Sequence, residues 1–437
     1  MAGHRIRLRP WFRWALPRTL AAVVLYVGGY TALNWHYSAV VAEGLAAARA
    51  RGEPATADEL LPAEVSPARD AGPFFRAACA LADGFDERIR EEFGGFEPYV
   101  KEFPEGSGRY VWGWVDDAEF DEHDRPVPAD LQAIDAWLQR MPGLQELLDE
   151  VRRRPECKST IDFGEDGPYT LLPHLLPAKN LCLLTLASSA AAAERGDMTR
   201  AVDQLLASHA LTRCLFADRY CLISALVAAS CRELVHAQLQ LLLSHGLPAA
   251  ELERLARGLE ETPDMPTIYR EAVIGERSGL GSFMFQAMLQ GRRLPYSGDL
   301  PAATGPLRLL LLWDFGVYLD VFRDAVAHPW PGFGKGVEDV GVDMAALRGA
   351  PISALMIPAL GKFRGRLIRV QAQELLARCA LSLERERLEG GAYPSRLPMG
   401  FEGVRYTPTP EGYVLRVRAV DYPGRPEDGD EVLRIRR

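Results

Sequence analysis

Twenty-four consecutive residues, Thr19 to Ala42, contain no Asp, Glu, Lys or Arg, and Arg5, Arg7, Arg9, Arg13 and Arg18 precede them without a single acid. As a helix rising 1.5 Å per residue, that stretch spans roughly 36 Å, more than a hydrocarbon core of about 30 Å. Trp11, Phe12 and Trp14 lie before it, and Trp35 and Tyr37 near its end. Aromatic rings suit the two membrane interfaces, and an arginine-rich flank stays in the cytoplasm. A cleaved signal peptide would have a shorter apolar region and a small-residue cleavage site, a role open to Ala46–Ala50. The reading adopted is a signal anchor at 19–42 behind a basic cytoplasmic lead at 1–18. It makes the lipid bilayer the first partner, with the N-terminus cytoplasmic and the body extracytoplasmic. Gly28 and Ala32 add a small-xxx-small pair of the kind that lets helices approach.

Outside that stretch the chain has the composition of a folded body, with 48% hydrophobic and 25% charged residues. A mean hydropathy of -0.08 excludes a polytopic membrane protein. The net charge of -9 leaves no global basic field for nucleic acid. Seven cysteines occur without a CxxC, so zinc-ribbon and redox motifs lack their basic unit. Cys79, Cys182, Cys221, Cys231 and Cys379 sit among Ala and Leu, where a thiol behaves as a small apolar group. The expectation is core thiols, with room for one disulfide.

The body, 43–363, reads as helical, with an Ala-rich lead-in at Glu43–Ala50 and an apolar-periodic stretch from Phe74 to Ala82. An acidic segment follows at 83–124, with fourteen acidic residues against four basic ones. Its densest part, Asp116–Asp124, has no glycine to turn the chain back on a calcium ion, so a solvated acidic face is expected. From Ala129 to Arg154, Ile134, Leu138, Met141, Leu144 and Leu148 mark one helical stripe, interrupted by Pro142. The main array begins after Pro177. Leu181–Arg195 should stop at Gly196, and Asp197 should cap a helix running to about Leu215. Further helices are expected at Tyr220–His245, from Pro248 to Glu261, at Thr267–Gln290 and at Leu307–Ala327. Turn glycines 50 residues apart do not fit the 34-residue tetratricopeptide period, so the array is solenoid-like without a strict repeat. Leu309–Trp313 is strongly apolar, but Arg308, Asp314 and Asp320 make a core helix preferable to a second crossing. Trp330–Val342 reads as a glycine-rich loop.

The C-terminal module, 364–437, joins a helix from Arg364 to Glu389 to three short alternating strands around Val404/Tyr406, Tyr413/Leu415/Val417 and Leu433/Ile435. Glu384 and Arg387 are placed as an i,i+3 pair on the helix's outer face. Such a meander needs a helix to cover its apolar side. The fold class is therefore mainly α: an N-terminal transmembrane helix, an irregular helical-hairpin body and a small three-stranded antiparallel meander packed on a helix.

Signatures of chemistry are sparse. There is no HExxH, and no histidine pair falls at i,i+3 or i,i+4. No GxSxG elbow occurs. Gly332-Phe333-Gly334-Lys335-Gly336 lacks the Ser/Thr and preceding strand of a phosphate cradle. His174 and Lys179, amid Pro168, Pro173 and Pro177, could edge a pocket with His174 as general base. Glu271, Glu276 and Arg277 are the other candidates, more naturally read as a solvated face or a buried ion pair. Asp421, Asp428 and Asp430 could chelate calcium between strands, although a polar loop is the simpler reading. No residue is assigned a catalytic, cofactor-binding or metal-binding role.

The run Leu383-Glu-Arg-Glu-Arg-Leu-Glu-Gly-Gly-Ala-Tyr393-Pro394, followed by Leu397 and the strands, resembles the helix–GxYP–sheet module of type II secretion pseudopilins. Residues 170–437, with Leu172-Pro173 leading to Asn180, the Gly196-Asp197 hairpin and the Glu276-Arg277 pair, resemble uncharacterised membrane-anchored helical bacterial proteins that end in this module. The resemblance implies architecture and an envelope address, and supplies no activity. Three functions remain open: a non-catalytic binding or scaffold protein with a protein or peptide partner, an envelope hydrolase near His174 and Glu271/Glu276, and a secretion or pilus accessory.

Overall fold

The computed structural model describes residues 10–60, 64–83, 97–102, 110–115, 127–128, 130–159, 172–218, 220–260, 264–291, 302–330, 349–356, 358–419 and 430–436, with a few isolated positions between them. The first helix, α1 (Pro10–Ala50), is longer than the apolar run within it. The Ala-rich lead-in is its continuation, because nothing between Ala42 and Glu43 breaks a helix. Every residue from Arg18 to Gly29 is exposed, whereas Val41 and Ala48 are buried.

That burial comes from α11 (Gly305–Ala327), which runs beside α1 in the same direction. Arg308 Nε donates to Asn34 Oδ1 at 3.0 Å. A Cβ on Gly44 would stand 3.0 Å from Leu319 Cδ1, and one on Gly316 would stand 3.2 Å from Val40 Cγ1. Glycines at these crossings let the helices close up. As expected, α11 is a core helix: Asp314 is fully buried but accepts from Ile352 N at 2.9 Å and Ser353 N at 3.1 Å, capping α12 (Pro351–Met356) from a distance.

Between α1 and α11 lie α2 (Gly72–Leu81), α3 (Leu131–Gln139) and α4 (Leu144–Arg153), the last two split at Pro142-Gly143. The central hairpins follow: α5 (Leu175–Glu194), α6 (Met198–Phe216), α7 (Leu222–His245) and α8 (Ala249–Glu260). Gly196 has φ 78° and Asp197 accepts from Arg200 N at 3.1 Å, so the expected stop and cap both form. Among the described residues, α5 is the helix whose length and composition would allow a membrane crossing, and 83% of its apolar window is buried within the body. Helices α6 and α7 flank it, so it is the centre of the core.

The stretch Thr267–Gln290 is one rod with a defect. It comprises α9 (Met265–Gly275), a π-helical turn (Glu276–Gly281) and α10 (Ser282–Gln290). Two close approaches accompany the widened turn. A Cβ on Gly275 would lie 1.9 Å from Tyr220 O, and one on Gly281 would lie 2.0 Å from Tyr318 Oη. Tyr220 itself is left-handed, at φ 66°.

Helix α13 (Pro358–Gly390) ends at Gly391, φ 76°, and leads into β6 (Val404–Thr409), β7 (Gly412–Arg418) and β8 (Asp430–Arg436). These pair antiparallel in sequence order, with Tyr406 opposite Leu415 and Leu415 opposite Leu433. Tyr413, Leu415, Val417, Leu433 and Ile435 are buried on the face toward α13 and α7. The Glu384–Arg387 pair forms at 3.0 Å, but not on an outer face, since the Glu384 side chain is 2% exposed. Tyr393 Oη donates to Glu384 Oε1 at 2.8 Å, and Tyr406 Oη donates to Pro394 O at 2.9 Å. The Gly-Gly-Ala-Tyr-Pro run is thus the joint that folds the sheet back onto its helix.

The acidic segment and the residues just after it hold an antiparallel sheet that the sequence reading did not anticipate, of strands β1 (Glu97–Glu102), β2 (Tyr110–Val115) and β3 (Val127–Pro128). Tyr110-Val-Trp-Gly-Trp-Val115 is rich in β-formers, a signal masked by the surrounding acids. A two-stranded pair, β4 (Arg293–Leu294) and β5 (Gly298–Asp299), sits between α10 and α11. Asp116–Asp124, Gly332–Gly336 and Asp421–Asp428 lie outside the described residues.

Candidate functional site

His174 stands at the N-terminus of α5, and its acidic partner is one that sequence spacing gave no means of finding. Asp218 follows the end of α6, 44 residues on, and its Oδ2 lies 2.7 Å from His174 Nε2. Ser159 Oγ donates to Asp218 Oδ1 at 2.8 Å, and Ser224 Oγ donates to Oδ2 at 3.1 Å. Both hydroxyl protons therefore point at the carboxylate. Phe75 of α2 packs edge-on against the imidazole. Burial, the Asp218 charge and Cys157 push the Cys79 thiol up to about 12. Cys157 is pushed up by sharing a hydrogen bond with Cys214 and by burial. All seven cysteines are free thiols, six of them buried.

Glu271 and Glu276 are not brought to His174. Glu276 sits on the π-turn, where burial raises its carboxyl to about 7, and its backbone oxygen accepts from Tyr318 Oη at 3.0 Å. Arg277 is a clamp. Its Nη1 donates to Glu53 Oε2 at 2.8 Å and its Nη2 to Pro54 O at 2.7 Å, while Ser278 Oγ donates to the same oxygen at 2.7 Å. Glu53 also accepts from Arg51 at 3.0 Å and Arg270 at 3.2 Å. Burial opposes its ionisation, but the Arg51 and Arg277 hydrogen bonds and charges prevail and hold it below 4.5. This group ties the end of α1 to the π-turn.

The cavity with the most unusual chemistry lies elsewhere, among α6, α7, α8, α9 and α13. It has a volume of about 300 Å³ and is lined by His209, Arg232, His236, Gln371, Glu374 and Arg378 among others. The Arg232 side chain is 0% exposed. None of its three guanidinium nitrogens has a hydrogen-bond partner, and Glu374 Oε1 is 4.0 Å from Nε. His209 Nε2, both ring nitrogens of His236 and Glu374 Oε1 are also buried and unpartnered. Buried polar atoms are nearly always paired, so this concentration is distinctive.

The electrostatics are set by burial. It lowers Arg232 to about 10, helped by Arg213 and opposed by Glu374 and by Cys182 and Cys231, so the guanidinium stays charged near neutrality. Burial and Arg232 lower His236 to about 3. Burial, Arg232, Arg213 and His236 lower His209 well below its usual 6.5. Both imidazoles are therefore neutral. Burial raises Glu374 to about 7, against the pull of Arg232 and Arg378. The floor is one fixed cation beside two neutral rings and a carboxyl that is half protonated at neutrality.

Sequence reasoning missed this cavity because Arg232, followed directly by Glu233, looks like any helix arginine; its one mark was its place beside Cys231 on a Leu- and Ala-rich helix. Among the described residues, no cluster of three or more His, Cys, Asp or Glu side chains could hold a metal ion. No protein-family model, curated protein or solved structure matches the chain.

Proposed function

We propose that this is a single-pass membrane protein whose extracytoplasmic helical body binds a ligand or protein partner rather than catalysing a reaction. The observation that carries it is the division of α1. Leu20, Val24 and Leu25 are 64%, 63% and 76% exposed, whereas from Asn34 onward the same helix packs on α11. An exposed apolar collar of this kind is costly in water, and it lies within the uncharged run Thr19–Ala42, whose length as a helix suits a bilayer. Leu307 and Leu310, exposed at the start of α11, extend it where Arg308 meets Asn34.

A hydrolase at His174 has one favourable observation, the Asp218 partner. The neighbouring hydroxyls donate to Asp218 and not to the imidazole, and the nearby thiols are held protonated, the opposite of an activated nucleophile. The cluster serves better to fasten α2, α5 and α7 together. A secretion accessory would present its meander at an exposed end, whereas this one is packed on α13 and α7. Affinity capture of the full chain from native membranes, with a periplasm-dependent reporter at the C-terminus, tests the proposal. It expects an active reporter and a retained partner; an inactive reporter, or a clean absence of any bound molecule, refutes it.

A further inference from the structure

The Arg232 cavity has an ordered charge pattern. Its floor carries a desolvated guanidinium with five donors to offer and two neutral imidazoles; the guanidinium, both ring nitrogens of His236 and Nε2 of His209 lack hydrogen-bond partners. Glu260, Asp264 and Arg378 are its exposed charged lining, so acids outnumber bases at the rim. Asp264 keeps its place by capping α9, accepting from Thr267 N at 3.2 Å. A dianion such as phosphate would be drawn to Arg232 but would meet Glu374 beside it and two carboxylates at the mouth. A zwitterion satisfies both ends. Its carboxylate takes the fork of Arg232 with the imidazoles as further donors, and its ammonium faces Glu260 and Asp264. The volume of about 300 Å³ is at the lower limit of small-molecule pockets and suits an amino acid or a dipeptide.

From this arrangement we infer that the cavity is a binding site for a small zwitterionic carboxylate, an α-amino acid or dipeptide, held carboxylate-inward on Arg232, His209 and His236. The inference rests on the binding-protein reading and names its ligand class. Glu374, at 4.0 Å from Arg232 Nε, makes no hydrogen bond to it, and a buried charge without hydrogen bonds is costly; a ligand carboxylate would supply the hydrogen-bonded partner. Only bound chemistry is involved; no bond is made or broken.

The test is calorimetric titration of the purified full-length chain in detergent with L-alanine, L-alanyl-L-alanine, N-acetyl-L-alanine, L-alaninamide and inorganic phosphate. The two zwitterions should bind with Kd of about 1 mM or tighter. The singly charged analogues should be at least about tenfold weaker, one charge contact being lost in each, and phosphate should not compete. Arg232→Met should weaken binding more than about tenfold without lowering the melting temperature of the ligand-free protein, since it removes a buried charge that no hydrogen bond offsets. A purely structural arginine would do the reverse. Glu260→Lys, on the exposed rim, should weaken the zwitterions and spare the fold. Equal binding of phosphate or of N-acetyl-L-alanine overturns the inference, as does unchanged affinity in Glu260→Lys or no zwitterion binding at all. In any of these cases, membrane capture that still yields a partner would leave the binding-protein reading standing.

Discussion

Replacing Glu53 by Gln should loosen the joint between the anchor helix and the body. Three arginines reach Glu53, but they differ in what they contribute. Arg51 and Arg270 are 38% and 51% exposed, so their pairs are screened and worth about 0–1 kcal/mol each. Arg277 and Glu53 are both 2% exposed, and removing one partner of such a pair costs about 3–5 kcal/mol because a buried charge is left behind. At roughly 2 cal/mol/K of unfolding entropy per residue, a body of this size loses about 1 °C of melting temperature per kcal/mol. The expected loss is therefore about 3–5 °C, read by thermal unfolding of the full chain. Faster tryptic cleavage after Arg51 and faster hydrogen exchange over residues 40–50 should accompany it. Adding Arg277→Met should recover part of the loss, since the double variant buries no lone charge. A Glu53→Gln protein as stable as the parent, or a double variant whose loss equals the sum of the singles, would refute the clamp. Glu53 is held below 4.5 in the fold, so its contribution is fully present above that pH and drains as pH falls through the depressed value.

Gly275→Ala should cost about 1–3 kcal/mol or more, because its Cβ would meet the Tyr220 backbone, which cannot swing aside as a side chain can; an unchanged melting temperature would contradict the close approach. Glu276→Gln should stabilise the protein at pH 8 by roughly 1–3 kcal/mol and by nothing at pH 4. A carboxyl raised to about 7 from 4.5 favours the fold below pH 4.5 and loses that advantage as pH rises through 7. Parallel melting curves of the two proteins across pH 4–8 would dismiss it. Tyr393→Phe should cost about 1 kcal/mol by removing a hydrogen bond to buried Glu384, with increased hydrogen exchange confined to β6–β8 and the end of α13.

The helical order was legible because its signals are local. Gly196, Asp197, Pro142 and Gly391 act within one turn of where they stand, and the alternation in 413–417 and 433–435 fixes which face of the meander is buried. Signals that depend on distant chain were not legible. His174 reads as a lone histidine until Asp218 is folded beside it. Arg277 and Glu276 are adjacent on one helical rod, yet one ends as an ion-pair clamp to Glu53 and the other as a raised carboxyl beside Tyr318. Glu384 and Arg387 have the spacing of a surface pair, and only the returning sheet buries them. The strand Tyr110–Val115 was lost for a different reason: charge density across the segment overwhelmed a short run of β-formers. The Arg232 cavity combines both failings, with five helices supplying lining residues that carry no shared motif.

Alkaline extraction of membranes carrying the full-length chain bears on the anchor itself. The parent protein should remain in the pellet at high pH, and a variant with Val24→Asp and Leu25→Arg should move to the soluble fraction with its body still folded. These two side chains are 63% and 76% exposed, so the substitutions remove no buried packing. A parent chain released by alkali, or a variant retained in the pellet as firmly as the parent, would mean that the apolar collar of α1 is not what holds this protein to the bilayer.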